Sequence, residues 1–240
     1  MTPNPVIERR FVFFRSARVI LNDALFLALL QKREFHFITA LSQNILTVPD
    51  SVARKHKKTA NISLRPPPEE IIQGFHDTTR NEVRRSFGMK ELIITQDDDK
   101  FDEAYALYKT FRHEKMLPLT SPSFLRQAMR MSAYWRGELI AVITWYDVVP
   151  VMRIQHIFSK IATTSEERKL IGLATRRLIY EICAYGSRAR REFLDMASVN
   201  FHNPTKAGIT KFKLSFGGEI VDEYIYTYRS PLIRFIRRLL

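Results

Sequence analysis

The chain has 240 residues, of which 45% are hydrophobic and 26% are charged. This composition excludes a mainly disordered protein, and the length allows one large domain, or one domain with a small addition, that buries a substantial core. The charge is unusual, because 38 Lys and Arg against 25 Asp and Glu leave a net charge of +13. Such a balance favours polyanionic partners such as RNA, phosphorylated cofactors or an anionic membrane face.

The first 68 residues predict a strand-rich segment that ends at a stiff break. Short apolar runs at residues 11–14 and 35–41 are typical of strands or a hairpin, and a basic stretch follows at residues 54–58. Residues 65–68, Arg-Pro-Pro-Pro, can neither pair in a sheet nor continue a helix. We therefore place a boundary near residue 60.

An apolar run at residues 19–30 lies within this first segment and is interrupted by Asn22 and Asp23. What remains is too short for a membrane span and lacks the cleavage site of a secretion signal. The chain has one cysteine, Cys183, which cannot form an internal disulfide and which we interpret as a buried core residue. Both features favour a cytoplasmic protein.

Beyond the break, helices and strands alternate. Apolar residues four apart predict one helix over residues 69–87, and an acidic cap at residues 97–99 precedes a second helix that ends near residue 115. The remaining predicted elements are a helix at 122–130, a hairpin over 133–147 that turns at 136–138, a strand at 152–159, a long helix at 166–185, a strand at 192–197, a short helix at 205–212 and a strand at 220–228. Strands interleaved with helices predict an α/β (α+β) domain with a mixed sheet over residues 61–230.

The last ten residues, 231–240, predict a short helix with two different faces. Leu232, Ile236 and Leu239 lie on one side, and arginines occupy the other. A basic amphipathic helix of this kind suits an anionic membrane, and docking on the protein's own core explains the pattern equally well.

Two motifs resemble those of a known superfamily. Residues 169–174, Lys-Leu-Ile-Gly-Leu-Ala, have the spacing of the pyrophosphate loop of GNAT-fold acyltransferases and lie between a predicted strand and the long helix. Residues 208–218, with Phe-Lys and Phe-Gly-Gly, and the upstream helix at 79–85 with its Arg-Asn and Arg-Arg pairs resemble the FemAB-like branch of that superfamily. The resemblance covers about residues 60–230.

The resemblance implies a GNAT-like, mostly antiparallel central sheet flanked by helices. It also implies an acyltransferase, because FemAB-like proteins attach amino acids to peptidoglycan precursors or acetylate polysaccharide precursors. The expected donor is acyl-CoA or aminoacyl-tRNA, and the expected acceptor is an amine or hydroxyl on a sugar or peptide of a cell-envelope or polysaccharide precursor. A lipid-linked acceptor would bring the protein to the inner membrane face. The chain departs from the large FemAB enzymes, which carry two such domains, and its 169–174 segment looks more like a CoA binder than theirs.

Three residues are candidates for catalysis. The resemblance places Lys213 in the acyl-transfer channel, where its ammonium would stabilise the oxyanion, although a surface lysine lying over two aromatic rings is the alternative. Asp195, at the end of a predicted strand, is a base or an orienting carboxylate, or else the partner of a salt bridge. His156 is a proton acceptor or a packed strand residue.

Binding residues follow from the same two motifs. The donor's pyrophosphate is expected at Lys169, Gly172, Leu173 and Ala174, because unpaired N–H groups at a helix start bind anions. Substrate contacts are expected on the polar face of the first helix and around the second motif. The alternative is that the residues at these two places are only solvated or structural. For Asn203, which precedes Pro204, the favoured interpretation is an ordinary helix N-cap. These substrate candidates are Arg80, Arg84, Arg85, Asn203 and Phe212.

The six histidines are scattered without metal-ligand spacing, so no metal cofactor is expected. Two further hypotheses remain open at this point. One is an RNA-binding module that uses the positive charge, although no known RNA-binding motif is present. The other is a catalytically inactive scaffold with the GNAT fold.

Overall fold

A computed structural model describes residues 6–11 and 14–234 of the chain. The described residues fall into two compact units. Unit 1 comprises the described parts of residues 1–60, 198–210 and 220–240, and unit 2 comprises residues 61–197 and 211–219. The division of the chain into domains at residues 60 and 230 stays a prediction.

Unit 1 contains a sheet, helix α1 (Asp23–Lys32) and shorter helical segments. Its strands occur in the order β1-β2-β3-β10-β4, where β2 and β3 are parallel and the pairs β1–β2 and β3–β10 are antiparallel. The basic stretch at residues 54–58 lies on strand β4. The elements are β1 (Val6–Phe11), β2 (Phe14–Ile20), α1 (Asp23–Lys32), β3 (Phe37–Ser42), the first nine residues of β4 (Val52–Ser63) and, beyond its first residue, β10 (Glu219–Arg229).

Helix α1 begins at the polar residues that interrupt the N-terminal apolar run. The side chain of Asn22 accepts a hydrogen bond from the backbone N–H of Leu25 at 3.0 Å, and Asp23 occupies the first turn, where negative charge is favoured. The apolar residues of the run then pack Phe26 into the core of unit 1, beside Ile38 and Tyr226. The run is therefore a core helix, which the sequence analysis had not predicted.

Unit 2 is a second set of strands, covered by helices on both faces. Its strands occur in the order β9-β8-β7-β6-β5, and the last three residues of β4 pair antiparallel with β9. The elements are α2 (Pro68–Ile71), a 3-10 turn (Ile72–Gly74), α3 (Asp77–Phe87), β5 (Leu92–Gln96), α4 (Phe101–Glu114), α5 (Pro122–Leu125), β6 (Met129–Trp135), β7 (Glu138–Val148), β8 (Val151–Ser159), α6 (Ser165–Arg188), β9 (Phe193–Asp195) and α7 (Ala207–Leu214), whose second half lies in unit 2.

The two long helices cover opposite faces of this sheet. Val142 of β7 packs against Tyr108 of α4, while Trp145 on the same strand contacts Tyr185 of α6 with its ring. Because side chains alternate along a strand, the two residues identify the two faces. The mixed, mostly antiparallel sheet flanked by helices that the sequence predicts is confirmed, since the only parallel pairs among the described strands whose pairing is given are β2–β3 and β8–β9. Cys183 is buried and free, as predicted.

The predicted helix over 69–87 is wrong in one respect, because the chain breaks it into two. Phe75 is extended, and the N–H of His76 donates to the carbonyl oxygen of Ser215 at 3.0 Å instead of continuing the helix. Phe75 is buried against Phe216, with ring centroids 5.1 Å apart. The apolar spacing was therefore right, but a tertiary contact set the backbone.

The predicted helix over 122–130 is also wrong. Only Pro122–Leu125 are helical, and Met129 begins strand β6, with Arg130 opposite Thr144 of β7. Pairing with a central strand overrides the local preference, which is weak for residues of this kind. Beyond residue 234, the predicted C-terminal helix lies outside the described residues.

The Phe-Gly-Gly turn after α7 is held against the start of α3. Gly217 has a φ of 69°, in the left-handed region, and a Cβ atom there would overlap the carbonyl oxygen of Gly74. Phe216 beside it is buried, between the rings of Phe75 and Phe212. The motif that carries the family resemblance thus has a packing role in this fold.

We expect Gly217→Ala to lower the free energy of unfolding by about 2 kcal/mol or more, because it combines a positive φ with a backbone overlap. Gly208→Ala is the matched control: nothing lies within 4 Å of a Cβ atom there, and helix propensity predicts a gain of up to about 1 kcal/mol. Urea unfolding measures both. Equal effects of the two substitutions would contradict the assigned role of Gly217.

Candidate active site

The sheet of unit 2 opens between its two parallel strands. β8 and β9 pair only at Met152 with Leu194 and at Arg153 with Asp195, and β9 ends at Asp195 while β8 continues to Ser159. The register of β8 against β7 also shifts between Thr144 and Trp145. In α/β folds such an opening beyond the end of a strand is a common place for a ligand.

A buried ion pair marks the point where the two strands separate. The guanidinium of Arg153 donates to one carboxylate oxygen of Asp195, and the backbone N–H of Ala197 donates to the other at 2.7 Å. The side chains of Arg153 and Asp195 are 6% and 0% exposed. Both oxygens of Asp195 are therefore directed at groups of the protein itself, which favours the salt-bridge interpretation over a base that reaches an external substrate.

A cavity of about 300 Å³ lies on the α4 face of the same sheet. Its wall combines two acidic residues, two arginines, one threonine and an apolar side. The lining residues are Asp97, Asp98, Phe101, Leu125, Arg126, Ala128, Arg130 and Thr144. A cavity of this size is at the lower end of the range of small-molecule sites.

Arg130 and Asp98 form the fixed part of this wall. The Arg130 guanidinium donates to the Asp98 carboxylate at 2.7 Å and to the Asp98 carbonyl oxygen at 2.5 Å. Thr95 and Tyr134 donate their hydroxyl groups to the other carboxylate oxygen of Asp98, at 2.6 and 3.0 Å. Burial alone would raise the pKa of Asp98, but the hydrogen bonds from Thr95, Tyr134 and the N–H of Lys100, together with the charge of Arg130, hold that pKa below its ordinary value. Asp98 is thus an ionised anchor for Arg130.

Asp97 has a different environment. Its backbone has a φ of 44°, and one oxygen of its carboxylate accepts the N–H of Arg130 at 2.7 Å. Desolvation raises the pKa of this carboxyl group, because it outweighs the hydrogen bond and the charge of Arg130. Two neighbouring aspartates therefore have pKa values shifted in opposite directions, as often happens at functional sites.

The predicted residue His156 lies one strand away from this cavity. It is directly opposite Thr144 in the register of β7 and β8, and its ring is 5.2 Å from the ring of Tyr108 on α4. Thr144 donates its hydroxyl to Gln155 at 2.8 Å, and Gln155 donates to the hydroxyl of Tyr146 at 2.7 Å. His156 is therefore half-buried beside Tyr108 and next in sequence to a hydrogen-bonded row of Thr144, Gln155 and Tyr146.

The predicted residues on α7 are packed. Phe212 lies edge-on to Phe216, with ring centroids 5.2 Å apart, and the guanidinium of Arg176 is 5.4 Å from the centre of its ring. Lys213 is half-buried. Arg176 also makes an ion pair with Glu82 at 2.7 Å, which ties α6 to α3.

The predicted pyrophosphate segment lies inside a helix and not in front of it. α6 begins at Ser165, so Lys169 and Gly172 lie in its second and third turns, and the carbonyl oxygen of Gly172 accepts from Arg176 at 3.1 Å. Leu173 and Ala174 are buried. The expectation that these N–H groups are unpaired was wrong in its geometry, because only the first turn of a helix has free donors.

At the N-terminus of α6, carboxylates of the chain itself accept backbone N–H groups. Thr164 and Glu167 form a capping box, and the Glu167 carboxylate accepts the backbone N–H of Thr163 at 2.7 Å and its hydroxyl at 2.8 Å. The backbone hydrogen bond from Thr163 lowers the pKa of Glu167, and a bond from its own N–H lowers that of Glu166. Two ionised carboxylates thus hold the positive end of the helix.

The arginines of α3 divide into two sets. Arg80 donates to the carbonyl oxygen of Gln73 at 2.9 Å and also pairs with Asp77, and Arg84 donates to the side chain of Gln73 at 3.2 Å. These two therefore share one face, as predicted from their spacing. Arg85 is exposed.

In unit 1, Asn203 accepts the N–H of Thr205 at 3.0 Å, which confirms the N-cap interpretation for this residue. In the described part of the chain, no group of three or more His, Cys, Asp or Glu side chains is arranged to hold a metal ion. Within the same residues, none of the helices combines the length and apolar character that crossing a bilayer requires.

The residues that line the cavity were not predicted from the sequence to be site residues. Asp97 and Asp98 were interpreted as a helix cap, but α4 begins after Lys100 and has no side-chain cap. Arg126 and Arg130 both fall in the predicted helix over residues 122–130, which the structure replaces at Met129 with strand β6. One feature of the sequence could have indicated the site, namely the acidic cluster that directly follows a strand. If residue 129 had been predicted to begin the next strand, pairing of the two strands would have placed this cluster opposite Arg130.

Several solved structures share this fold. The chain superposes on FemX with a TM-score of 0.65 over 96% of this chain and 86% of FemX, at 8% identity. It superposes on the C-terminal domain of a protein described as a lysylphosphatidylglycerol synthetase from Agrobacterium fabrum with a TM-score of 0.59, at 11% identity, over 99% of this chain and 86% of that one. L-PGS from Bacillus licheniformis gives 0.53 at 11% identity, over 98% and 85%.

The chain has a FemAB-like GNAT fold. The likeness to FemX over nearly the whole chain confirms the fold that the two sequence motifs predict. No protein-family model and no curated protein sequence matches the chain. The relationship is therefore one of fold, and the activity follows from the site.

We expect Asp195→Ala to lower the free energy of unfolding by about 3–5 kcal/mol, because it leaves the buried guanidinium of Arg153 without its counter-charge. The control is the double variant Arg153→Met, Asp195→Leu, which replaces the pair with apolar groups and recovers a large part of that loss. Urea unfolding measures both. A loss under about 1 kcal/mol in the single variant would show that the pair does not hold the strands.

Proposed function

We propose that this protein is an acyltransferase. It moves an acyl group from an activated donor to an amine or hydroxyl of a cell-envelope or polysaccharide precursor. The proposal is supported by the FemAB-like GNAT fold, the opening between β8 and β9, and the polar cavity on the adjoining strands.

For the donor, we favour aminoacyl-tRNA over acyl-CoA. The observation that carries this choice is the start of α6, where Glu166 and Glu167 hold the N–H groups that a CoA pyrophosphate would need. Both carboxylates are exposed and ionised at neutral pH, so they repel a pyrophosphate as well as replacing it. Acyl-CoA is the alternative donor that the test below decides.

The distribution of charge supports a polyanionic donor. The sequence of unit 1 has 15 Lys and Arg against 6 Asp and Glu, a net charge of +9, while the larger unit 2 has 23 against 19, a net charge of +4. Exposed basic side chains follow strand β4, and the guanidinium of Arg54 and the ring of His56 lie 5.9 and 5.2 Å from the ring of Tyr224. Basic groups beside an aromatic ring are typical of surfaces that bind nucleic acid.

The same observation favours a second function, an RNA-binding module without catalysis. The two differ in one measurable way, because a binding module retains charged tRNA in a salt-dependent manner and transfers nothing from it.

In the proposed reaction the acceptor nitrogen first releases one proton from its ammonium form to solvent, and the resulting free amine attacks the carbonyl carbon of the donor. The C–N bond forms, the C–O ester bond to tRNA breaks, and the leaving oxygen takes up a proton. Lys213 is proposed to stabilise the oxyanion and His156 to accept the proton of the acceptor, while Arg80 and Arg84 contact phosphate. Asp195 is reassigned to positioning, since its carboxylate is held by Arg153.

We further propose that the protein acts in the cytoplasm, in peripheral contact with the inner membrane face when the acceptor is lipid-linked. The three arginines at positions 234, 237 and 238 supply positive charge for anionic headgroups. The last two of these residues lie outside the described part of the chain.

Lys213→Ala is expected to lower kcat by about 10²–10³-fold, the usual effect of removing one oxyanion donor, with an unchanged melting temperature. Lys211→Ala is the matched control, because Lys211 is exposed and lies two residues away on the same helix. Single-turnover rates with a labelled donor measure the effect. Equal rates in the two variants would remove Lys213 from the mechanism.

Charged tRNA is expected to raise the melting temperature, and acetyl-CoA is expected to leave it unchanged. A ligand at about 100 times its Kd stabilises the folded state by about 2.7 kcal/mol, which corresponds to about 5–10 °C for a chain of this size. Differential scanning fluorimetry at low and high salt measures both donors. Stabilisation by acetyl-CoA alone would contradict the choice of donor, and no stabilisation by either would count against the enzyme.

A further inference from the structure

One residue that lines the cavity on the α4 face, Arg130, has a buried donor that no described residue satisfies. Arg130 is 7% exposed, its terminal nitrogen is held by Asp98, and its Nε atom has no hydrogen-bond partner in the part of the chain that the structure describes. A buried donor without an acceptor is unfavourable, so the site favours a ligand that brings an anionic oxygen.

A second guanidinium is available on the same wall. The guanidinium carbon of Arg126 lies over the ring of Phe101, 3.7 Å from its centre. Arg126 also pairs at 3.1 Å with Asp102, whose side chain is almost fully exposed. Exposed ion pairs of this kind contribute little to stability, so Arg126 can exchange Asp102 for a ligand carboxylate at small cost. Arg126 and Arg130 together suit the planar shape of a carboxylate.

The cavity does not suit an anion alone. Asp97 and Asp98 balance the two arginines, so the wall as a whole is neutral. The Asp98 carboxylate accepts bonds from Arg130, Thr95, Tyr134 and the N–H of Lys100. The Asp97 carboxylate, by contrast, accepts bonds from the N–H of Arg130 and the side chain of Gln96 and has no cationic side chain hydrogen-bonded to it in the described residues. A simple anion such as phosphate would meet the Asp97 carboxylate, whereas a ligand with its own cationic group would pair with it.

The rest of the wall is apolar and limits the size of the ligand. Phe101, Leu125 and Ala128 form this side, and Thr144 adds one hydroxyl. A volume of about 300 Å³ leaves room for a small ligand that carries an ammonium, a carboxylate and a short side chain.

We propose that this cavity binds the amino-acid end of the acceptor, with its ammonium on Asp97 and its carboxylate on Arg126 and Arg130. The identification of this ligand as the acceptor rests on the proposed acyl transfer. The acceptor is then an amine that carries a carboxylate close to its nitrogen, which excludes simple hydroxyl acceptors and amino sugars without an acidic group.

The test measures binding in the absence of any donor, by NMR titration with four probes, of which inorganic phosphate is the simple anion. Racemic alanine carries both charges, alaninamide carries only the ammonium, and N-acetylalanine carries only the carboxylate. We expect alanine to bind at least about tenfold more tightly than alaninamide or N-acetylalanine, because each charge-assisted bond is strong in a partly buried site. Equal binding of N-acetylalanine, tighter binding of inorganic phosphate, or no binding of alanine would overturn the proposal.

Two variants and their matched controls assign the charges. Asp97→Asn keeps an acceptor for the N–H of Arg130. This variant is expected to bind alanine only as tightly as the unmodified protein binds N-acetylalanine. Arg126→Gln changes an exposed residue. This variant is expected to bind alanine only as tightly as the unmodified protein binds alaninamide.

The controls are Asp99→Asn and Arg136→Gln, neither of which lines the cavity. Arg136 lies over Trp135 and pairs with exposed Glu91, as Arg126 does with Phe101 and Asp102. Both controls are expected to bind alanine like the unmodified protein. An unchanged affinity in Arg126→Gln would overturn the proposal even if Asp97→Asn proved unstable.

These outcomes are independent of acyl transfer. Charge-dependent binding of alanine without any transfer supports the assigned ligand class and contradicts the acyltransferase. Transfer together with charge-independent binding contradicts the ligand class alone.

Discussion

The buried ion pair between Arg153 and Asp195 is the interaction on which the architecture of the site depends. It joins β8 to β9 at the last position where the two parallel strands pair, and β8 continues alone beyond it. Two charges removed from water are stable only when they are paired and hydrogen-bonded, and here the N–H of Ala197 completes the arrangement. Because the pair fixes where the strands separate, it also fixes which residues of β8, including His156, lie beside the opening.

A second, separate network builds the cavity two strands away. The Asp98 carboxylate accepts hydrogen bonds from the hydroxyl groups of Thr95 and Tyr134 and from the guanidinium of Arg130. Arg130 is thereby held in a buried position, where its Nε has no hydrogen-bond partner among the described residues. A site of this construction trades some stability for a preorganised binding group, since the cost of ordering Arg130 has been met in the folded state. Asp97 differs from Asp98 because desolvation, not hydrogen bonding, dominates its pKa.

Much of the fold could be predicted from the sequence, and the failures have physical causes. The long helix α6, the hairpin at residues 136–138 and the last strand follow from periodicity and turn residues alone. The break at Phe75 could not be predicted, because it depends on a backbone hydrogen bond from His76 to Ser215, which is 139 positions later in the chain. The family motif led to the right fold, yet Phe216 and Gly217 have packing roles there. The cavity escaped prediction because Asp97 and Arg130 meet only when Met129 begins a strand.

The central claim is that the chain transfers an acyl group from tRNA to an amine, and one measurement addresses it directly. Purified protein is incubated with tRNA that carries a labelled aminoacyl group, and separately with labelled acetyl-CoA, in the presence of alanine as acceptor. The account predicts a labelled dipeptide from charged tRNA, its loss in Lys213→Ala, and no product from acetyl-CoA. N-acetylalanine formed from acetyl-CoA, with no dipeptide from charged tRNA, would contradict it.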